Sequence, residues 1–309
     1  MGGVAGVAAL MTAGEGAGAA GAQRGAAGAA GTLKLGGDLS VNRLGFGAMR
    51  ITGSGIWGEP KDPAECQRVL KRALDLGVNF IDTADAYGPE VSERLIAETL
   101  YPYPQHLVIA TKGGLTRPGP GAWVPDGRPQ HLREACEASL KRLKLERIDL
   151  YQFHAIDSKV PLEDSIGALA KLREQGKIRH VGVSNFKADE LARARRIVPV
   201  VSVQNRYNLA DRASDEVLGV CTREGLAFIP WAPIARGSSD SLEGGPGSQA
   251  LEAAAKAHGV SVFAVAIAWL LAKSPAMLPI PGTSSVAHLE DNVSAAALKL
   301  SPAESAALG

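Results

Sequence analysis

Four residues carry the strongest chemical signal in the chain. Asp82, Tyr87, Lys112 and His154 each stand at or just after a short apolar run, and together they offer a carboxylate, a phenol, an amine and an imidazole. A phenol loses its proton near pH ~10, too high for it to protonate an oxyanion readily at neutral pH. An ammonium beside it lowers that value, provided a carboxylate orients and balances the ammonium. Asp82, Lys112 and Tyr87 supply those three parts. His154 would then orient a carbonyl oxygen and stabilise the charge developing on it. Such a set suits a reaction in which a carbonyl oxygen gains a proton while its carbon gains a hydride. No side chain donates hydride, so a nicotinamide cofactor is required. Ser184, Asn185 and Gln204 could hydrogen-bond a carboxamide, and Trp231 could stack on a flat ring.

Taken singly, each residue has a plainer use. Asp82 could cap a turn, Lys112 could be a solvated strand end, and His154 could be structural. The case rests on the constellation. A Schiff-base role for Lys112 is an alternative, but it leaves Tyr87 and the amides with nothing to do. A metal centre is not expected, because the six histidines form neither a His-x-His nor a His-Glu-x-x-His pair.

These residues need elements that bring them to one place. Short apolar runs at 44–47, 79–82, 107–111, 149–153, 179–183, 200–203, 227–230 and 277–280 predict eight strands. Helical spacing lies between them at 64–76, 132–143, 162–174, 188–197, 214–224 and 262–272. Strands buried on both faces are continuously apolar, as in Val-Gly-Val and Val-Val-Ser-Val. The alternation predicts an α/β fold, a (β/α)8 TIM barrel, preceded by a short hairpin over 32–41 that covers its bottom. Every residue of the constellation then falls at the carboxyl end of a strand, where barrels of this kind build their chemistry. An open doubly wound sheet is the runner-up, but residues 45–50 do not complete a G-x-G-x-x-G turn.

Composition sets outer limits. The chain has 309 residues, with 33 Lys and Arg against 32 Asp and Glu, so nucleic acid and anionic membranes are not expected partners. No apolar run reaches the length of about 18 residues that a membrane span needs. Cys66, Cys136 and Cys221 are widely spaced and odd in number, which argues against a disulfide framework and for a reducing cytoplasm. Of residues 1–31, 22 are Gly or Ala, too little apolar side chain to offset the cost of ordering. They are expected to form a disordered tail, with the barrel occupying 32–309.

The chain resembles an aldo-keto reductase from Thr32 to Pro302. The matching motifs are Leu44-Gly45-Phe46-Gly47, Asp82-Thr83-Ala84-Asp85-Ala86-Tyr87-Gly88, Ala110-Thr111-Lys112 and Asp149-Leu150-Tyr151-Gln152-Phe153-His154, followed by residues 176–186 and 280–285. The segments 101–103 and 280–292 resemble a bacterial subgroup that includes pyridoxal reductases. The resemblance implies that Asp82, Tyr87, Lys112 and His154 form the catalytic tetrad with Tyr87 as general acid. It implies that Ser184, Asn185, Gln204 and Trp231 hold the nicotinamide end of the cofactor. The adenosine end would meet Gly282, Thr283, Ser284, His288, Asp291 and Asn292.

NADPH is the implied cofactor and NADH the alternative, because the acidic pair Glu290-Asp291 would oppose a phosphate. The implied activity is reduction of a small aldehyde or ketone by a monomer or small homo-oligomer. An alcohol or sugar dehydrogenase running in reverse, or a cofactor-sensing accessory subunit without turnover, are the alternatives. Substrate contacts are expected from Trp57, from Trp123 in the loop 113–129, and from residues 234–247.

Overall fold

The computed structural model describes residues 25–234 and 248–309. Two strands open it, β1 (Thr32–Leu35) and β2 (Leu39–Asn42), paired antiparallel across the Gly36-Gly37 turn. Gly36 has φ +59°, and any Cβ there would collide with the His180 imidazole, so the turn demands glycine twice over. The hairpin sits at the amino ends of the barrel strands. Its Leu35, Leu39 and Val41 share a buried cluster with Phe80, Val108, Leu150, Ile229 and Leu278 from the barrel interior. Asp38 in its turn accepts hydrogen bonds from Arg179 at 2.8 Å and meets His180 Nε2 at 2.6 Å.

The barrel follows as β3 (Phe46–Gly47), α1 (Pro63–Asp75), β4 (Phe80–Asp82), α2 (Val91–Leu100), β5 (Val108–Gly113), the small excursion β6 (Leu115–Thr116) and β7 (Val124–Pro125), and α3 (Pro129–Leu143). It continues with β8 (Ile148–Phe153), α4 (Leu162–Glu174), β9 (Ile178–Ser184), α5 (Ala188–Arg195), β10 (Val200–Arg206), α6 (Asp215–Glu224) and β11 (Ala227–Trp231). The chain closes with α7 (Ser248–His258), α8 (Val262–Lys273), α9 (Val286–Ser294) and α10 (Pro302–Leu308). Local chemistry explains several boundaries. Asp62 caps α1 by accepting from Glu65 N at 2.9 Å, and Pro63 occupies its first turn. Helix α1 buries Cys66, Val69, Leu70 and Ala73, the face its apolar spacing marks out. Helix α8 buries seven consecutive residues from Ala264 to Leu270, which matches its lack of a polar face.

Seven parallel strands run in the order β11-β10-β9-β8-β5-β4-β3. The run expected as the eighth strand closes the ring without forming a regular ladder. Phe228 N donates to Ala276 O and Leu278 N to Phe228 O on the β11 side, while Gly45 N and Gly47 N donate to Pro279 O and Pro281 O on the β3 side. In a parallel ladder one residue points both backbone groups at the same neighbour. Pro279 and Pro281 have no N–H, so half the bonds toward β3 cannot form.

The tail expectation is corrected for its last seven residues. Ala26–Ala30 form a 3-10 helix, Ala27 N donates to Leu76 O at 2.9 Å, and Ala27 and Ala30 are buried. Small residues are what this packing needs: a Cβ on Gly25 would press on the backbone of Leu76 and Gly77 at 2.6 Å. Residues 1–24 lie outside the described residues. Among the described residues no single helix is long and apolar enough to cross a membrane; α7 and α8 pass that test only as a pair bent by 101°.

Candidate active site

The floor of the site is set by which side chains the strands point inward. Asp82 ends β4, and Lys112 and Gln152 stand opposite each other on β5 and β8. Gln152 in turn pairs with Gly182 on β9, where a Cβ would press on Gln152 Cγ at 2.9 Å. The glycine therefore makes room for the glutamine. Ser184 and Gln204 face each other across β9 and β10.

These placements converge on one carboxylate. Lys112 Nζ donates to Asp82 Oδ1 at 2.5 Å, to Thr83 O at 2.9 Å and to the Tyr87 hydroxyl at 3.3 Å. Asp82 Oδ2 accepts from Gln152 Nε2 at 2.9 Å and from Gln204 Nε2 at 2.8 Å. The Lys112 and Asp82 side chains are 0% and 2% exposed, so their charges balance each other away from water. Burial opposes the Lys112 charge, yet Asp82 and Tyr87 together hold its pKa above an amine's usual value.

Tyr87 departs from the expectation of a lowered phenol pKa. Burial pushes it up, Lys112 pulls it down by less, and the charge of Asp82 adds to the rise. The net direction is upward. The hydroxyl therefore stays protonated across the neutral range, as a proton donor must.

His154 follows β8 and lies edge-on to Tyr87, with ring centroids 5.9 Å apart. Burial, and then the nearby Lys112 charge, hold its pKa well below the usual imidazole value. Its Nδ1 is buried with no hydrogen-bond partner. A neutral ring set edge-on beside the Tyr87 hydroxyl fits a group that meets a substrate oxygen.

The lowered pKa has a consequence for stability. The folded ring stays neutral at mildly acid pH while the unfolded one protonates below about 6.5, so stability falls as pH drops through that value. Between pH ~6.5 and ~5 this one group therefore takes stability away as the pH falls. Urea unfolding at the two pH values, for the wild type and His154→Asn, reads it as the part of the acid loss that the variant lacks.

Of the four further residues expected here, Ser184 and Gln204 are buried, and Asn185 and Trp231 lie at the rim. Ser184 Oγ donates to Gln204 O at 2.8 Å. Asn185, at φ +62°, donates through Nδ2 to His154 O at 3.1 Å and accepts from Trp231 Nε1 at 3.0 Å. A non-glycine residue in the left-handed region is uncommon and clusters at functional sites. Trp231 is half-buried at the end of β11, leaving part of its ring open. Asn205 belongs to the frame, exchanging hydrogen bonds with the backbone of Phe186.

Gly282, Thr283 and Ser284 follow the closing segment. Gly282 packs so tightly on Gly47 that a Cβ would collide with Gly47 O. Thr283 Oγ1 accepts from Ser285 N, Ser284 and His288 are exposed, and Asn292 is buried. The acidic pair is engaged elsewhere: Glu290 pairs with Arg72 at 2.8 Å, and Asp291 accepts from Ser261 at 2.6 Å, tying α9 to the start of α8. A different carboxylate stands at the start of α9, where Glu65 accepts from Val286 N at 3.0 Å.

Trp57 and Trp123 flank the mouth. Trp123 meets Tyr87 and His154 edge-to-face at 6.3 and 6.4 Å, and Trp57 bridges to Gly88 beside Tyr87. Of the third expected substrate segment, residues 235–247 lie outside the described residues.

Three contributors escape the sequence reading. Gln152 could have been found, since it stands two residues before His154 on a strand and so shares its face. Arg117 and the Glu93–Arg142 pair had no such signal. Glu93 is buried in α2, accepting from Thr111 at 2.5 Å and Arg142 at 2.6 Å, and it pins that helix against the strand that carries Lys112.

Comparison with known proteins agrees with this geometry. The profile of the Aldo/keto reductase family matches residues 43–308. An uncharacterized oxidoreductase of Schizosaccharomyces pombe is 52% identical over 272 residues, 88% of this chain and 87% of the relative. Pyridoxine 4-dehydrogenase of Escherichia coli is 42% identical over 271 residues, 86% of this chain and 93% of the relative. A crystal structure of an aldo-keto reductase from Klebsiella pneumoniae in complex with NADPH superposes with a TM-score of 0.74 at 25% identity, covering 90% of this chain and 93% of that one.

Proposed function

The chain belongs to the aldo/keto reductase family, and from that premise we propose that it is an NADPH-dependent reductase converting an aldehyde or ketone to the alcohol, with Tyr87 as proton donor. The observation that carries this reading is Lys112 Nζ shared between Asp82 and the Tyr87 hydroxyl, beside a neutral His154 ring edge-on to Tyr87.

The residues at the rim fit a dinucleotide. Trp231 offers a partly open ring for a flat heterocycle, with Ser184, Asn185 and Gln204 beside it. Gly282, Thr283, Ser284, His288 and Asn292 are the residues assigned to the adenosine end, with Asp291 tethering their helix. Bound there, a nicotinamide dinucleotide supplies the hydride that no side chain can.

The protein's own groups do the rest. His154 receives the substrate oxygen and orients it. Tyr87 gives its proton to that oxygen as negative charge builds on it. Lys112 stabilises the phenolate left behind, and Asp82 holds Lys112 in place and balances its charge. The edge-on rings of Trp123 and His154 shield the proton transfer from water.

Two observations favour a second reading, an alcohol dehydrogenase working with NAD. The Escherichia coli relative is named a dehydrogenase, and Glu65 puts a carboxylate at the start of α9, beside the residues assigned to the adenosine end, where it would oppose a phosphate. One experiment separates the two. Cofactor oxidation is followed by near-ultraviolet absorbance with NADPH and NADH against a carbonyl panel including pyridoxal. The proposal expects turnover with kcat/KM higher for NADPH. A preference for NADH, with faster alcohol oxidation than carbonyl reduction, favours the second reading.

A further inference from the structure

Arg117 lies beside the mouth of the site, 9% exposed, with no part in the chemistry described above. Its guanidinium stacks over Trp123, with Cζ 3.6 Å from the ring centroid, and faces Trp57 at 5.5 Å. Its N–H groups reach the backbone of three separate loops: Ala122 O at 2.8 Å, Ile56 O at 3.1 Å with Gly55 O at 3.4 Å, and Ala86 O at 3.0 Å. No carboxylate among the described residues pairs with it; four carbonyl dipoles and two aromatic faces answer its charge.

Two details mark this as more than a loop staple. Ile56 has φ +58°, a left-handed conformation that a β-branched residue adopts only under constraint. Its carbonyl is one of those Arg117 holds. Ala86 directly precedes Tyr87, so the same side chain joins the aromatic wall to the loop that carries the proton donor.

We propose that Arg117 is the residue that sets substrate preference: by locking Trp57 and Trp123 into one rigid wall against the Tyr87 loop, it makes the pocket select flat, unsaturated carbonyl compounds over flexible aliphatic ones. This rests on the carbonyl reductase reading. A planar ring gains from fixed aromatic faces an interaction that a short alkyl chain cannot make. A wall free to move would have to be ordered by each substrate, and that cost falls on the binding of the ring. Lysine cannot substitute, because an ammonium has neither the planar stack nor the fork of donors that reaches several carbonyls at once.

The test compares benzaldehyde with propanal as probes in the wild type, Arg117→Lys and Trp123→Leu, with NADPH saturating. For Arg117→Lys the ratio of kcat/KM, benzaldehyde over propanal, falls about tenfold, the loss of one buried cation–aromatic contact and the order it imposes. The loss appears mainly in KM for benzaldehyde. Trp123→Leu, at a half-exposed position, shows the same selective loss and keeps the test open if the arginine variant does not fold. A merely structural arginine lowers both activities alike, so an unchanged ratio in either variant overturns the proposal. A wild type that turns over other members of the carbonyl panel but not benzaldehyde overturns this proposal alone, whereas no turnover of any carbonyl overturns the reductase reading beneath it.

Discussion

Tyr87→Phe abolishes carbonyl reduction while leaving cofactor binding nearly unchanged. The substitution removes one oxygen. The ring that packs edge-on against Trp123 and His154 remains, and so does the Lys112–Asp82 pair behind it. General acid catalysis contributes about 10²–10⁴-fold, so kcat falls by that factor. Quenching of protein fluorescence by NADPH gives the dissociation constant, and absorbance gives the rate. The variant also loses one hydrogen bond from Lys112, worth about 1 kcal/mol of stability, too little to unfold the barrel. Residual turnover above a tenth of the wild-type rate would mean that another group donates the proton.

The second large effect concerns stability as well as rate. Asp82→Ala strands the Lys112 ammonium in the barrel interior and leaves the Gln152 and Gln204 amides without their common acceptor. Breaking a buried pair from one side costs about 3–5 kcal/mol, so the urea midpoint drops sharply and activity disappears. The double variant Asp82→Ala with Lys112→Met removes both charges. It recovers part of the lost stability and none of the activity, because removing both partners spares the penalty of an unpaired charge. A double variant no more stable than Asp82→Ala would show that the single loss came from packing.

How much of this was legible in the sequence depends on whether a residue's job is local. The strands over 178–184 and 200–206 stood out because burial on both faces demands apolar runs such as Val-Gly-Val and Val-Val-Ser-Val. The tetrad stood out because each member sits at a strand's carboxyl end or in the loop that follows it. Helix α2 did not, since buried Ser92 and Glu93 interrupt its apolar spacing; their partners Thr83, Thr111 and Arg142 come from three other elements. The closing segment's prolines hid the difference between a strand and a half-laddered connector. The Ala26–Ala30 turn looked like tail because packing on backbone needs small residues, the same composition that marks a flexible segment.

The phenol's pKa was the subtler lesson. Spacing could bring an ammonium to Tyr87, but only the fold shows how deeply the ring is buried, and burial decides the direction. The same holds for the acidic pair at 290–291. Sequence set it against a phosphate, whereas the fold turns Glu290 to Arg72 and Asp291 to Ser261 and brings Glu65 to the helix start instead. Arg117 is the extreme case, since its four carbonyl partners carry no sequence signature at all.

One measurement reaches the central claim most directly. The purified protein, NADPH deuterated at the transferable position of the nicotinamide, and one equivalent of an aromatic aldehyde are mixed, and the product is read by mass spectrometry. Tyr87 acting as proton donor in a carbonyl reductase predicts one deuterium on the carbinol carbon of each alcohol formed, with the Tyr87→Phe protein yielding almost none. Tight NADPH binding with the aldehyde recovered unchanged from the wild type would contradict it.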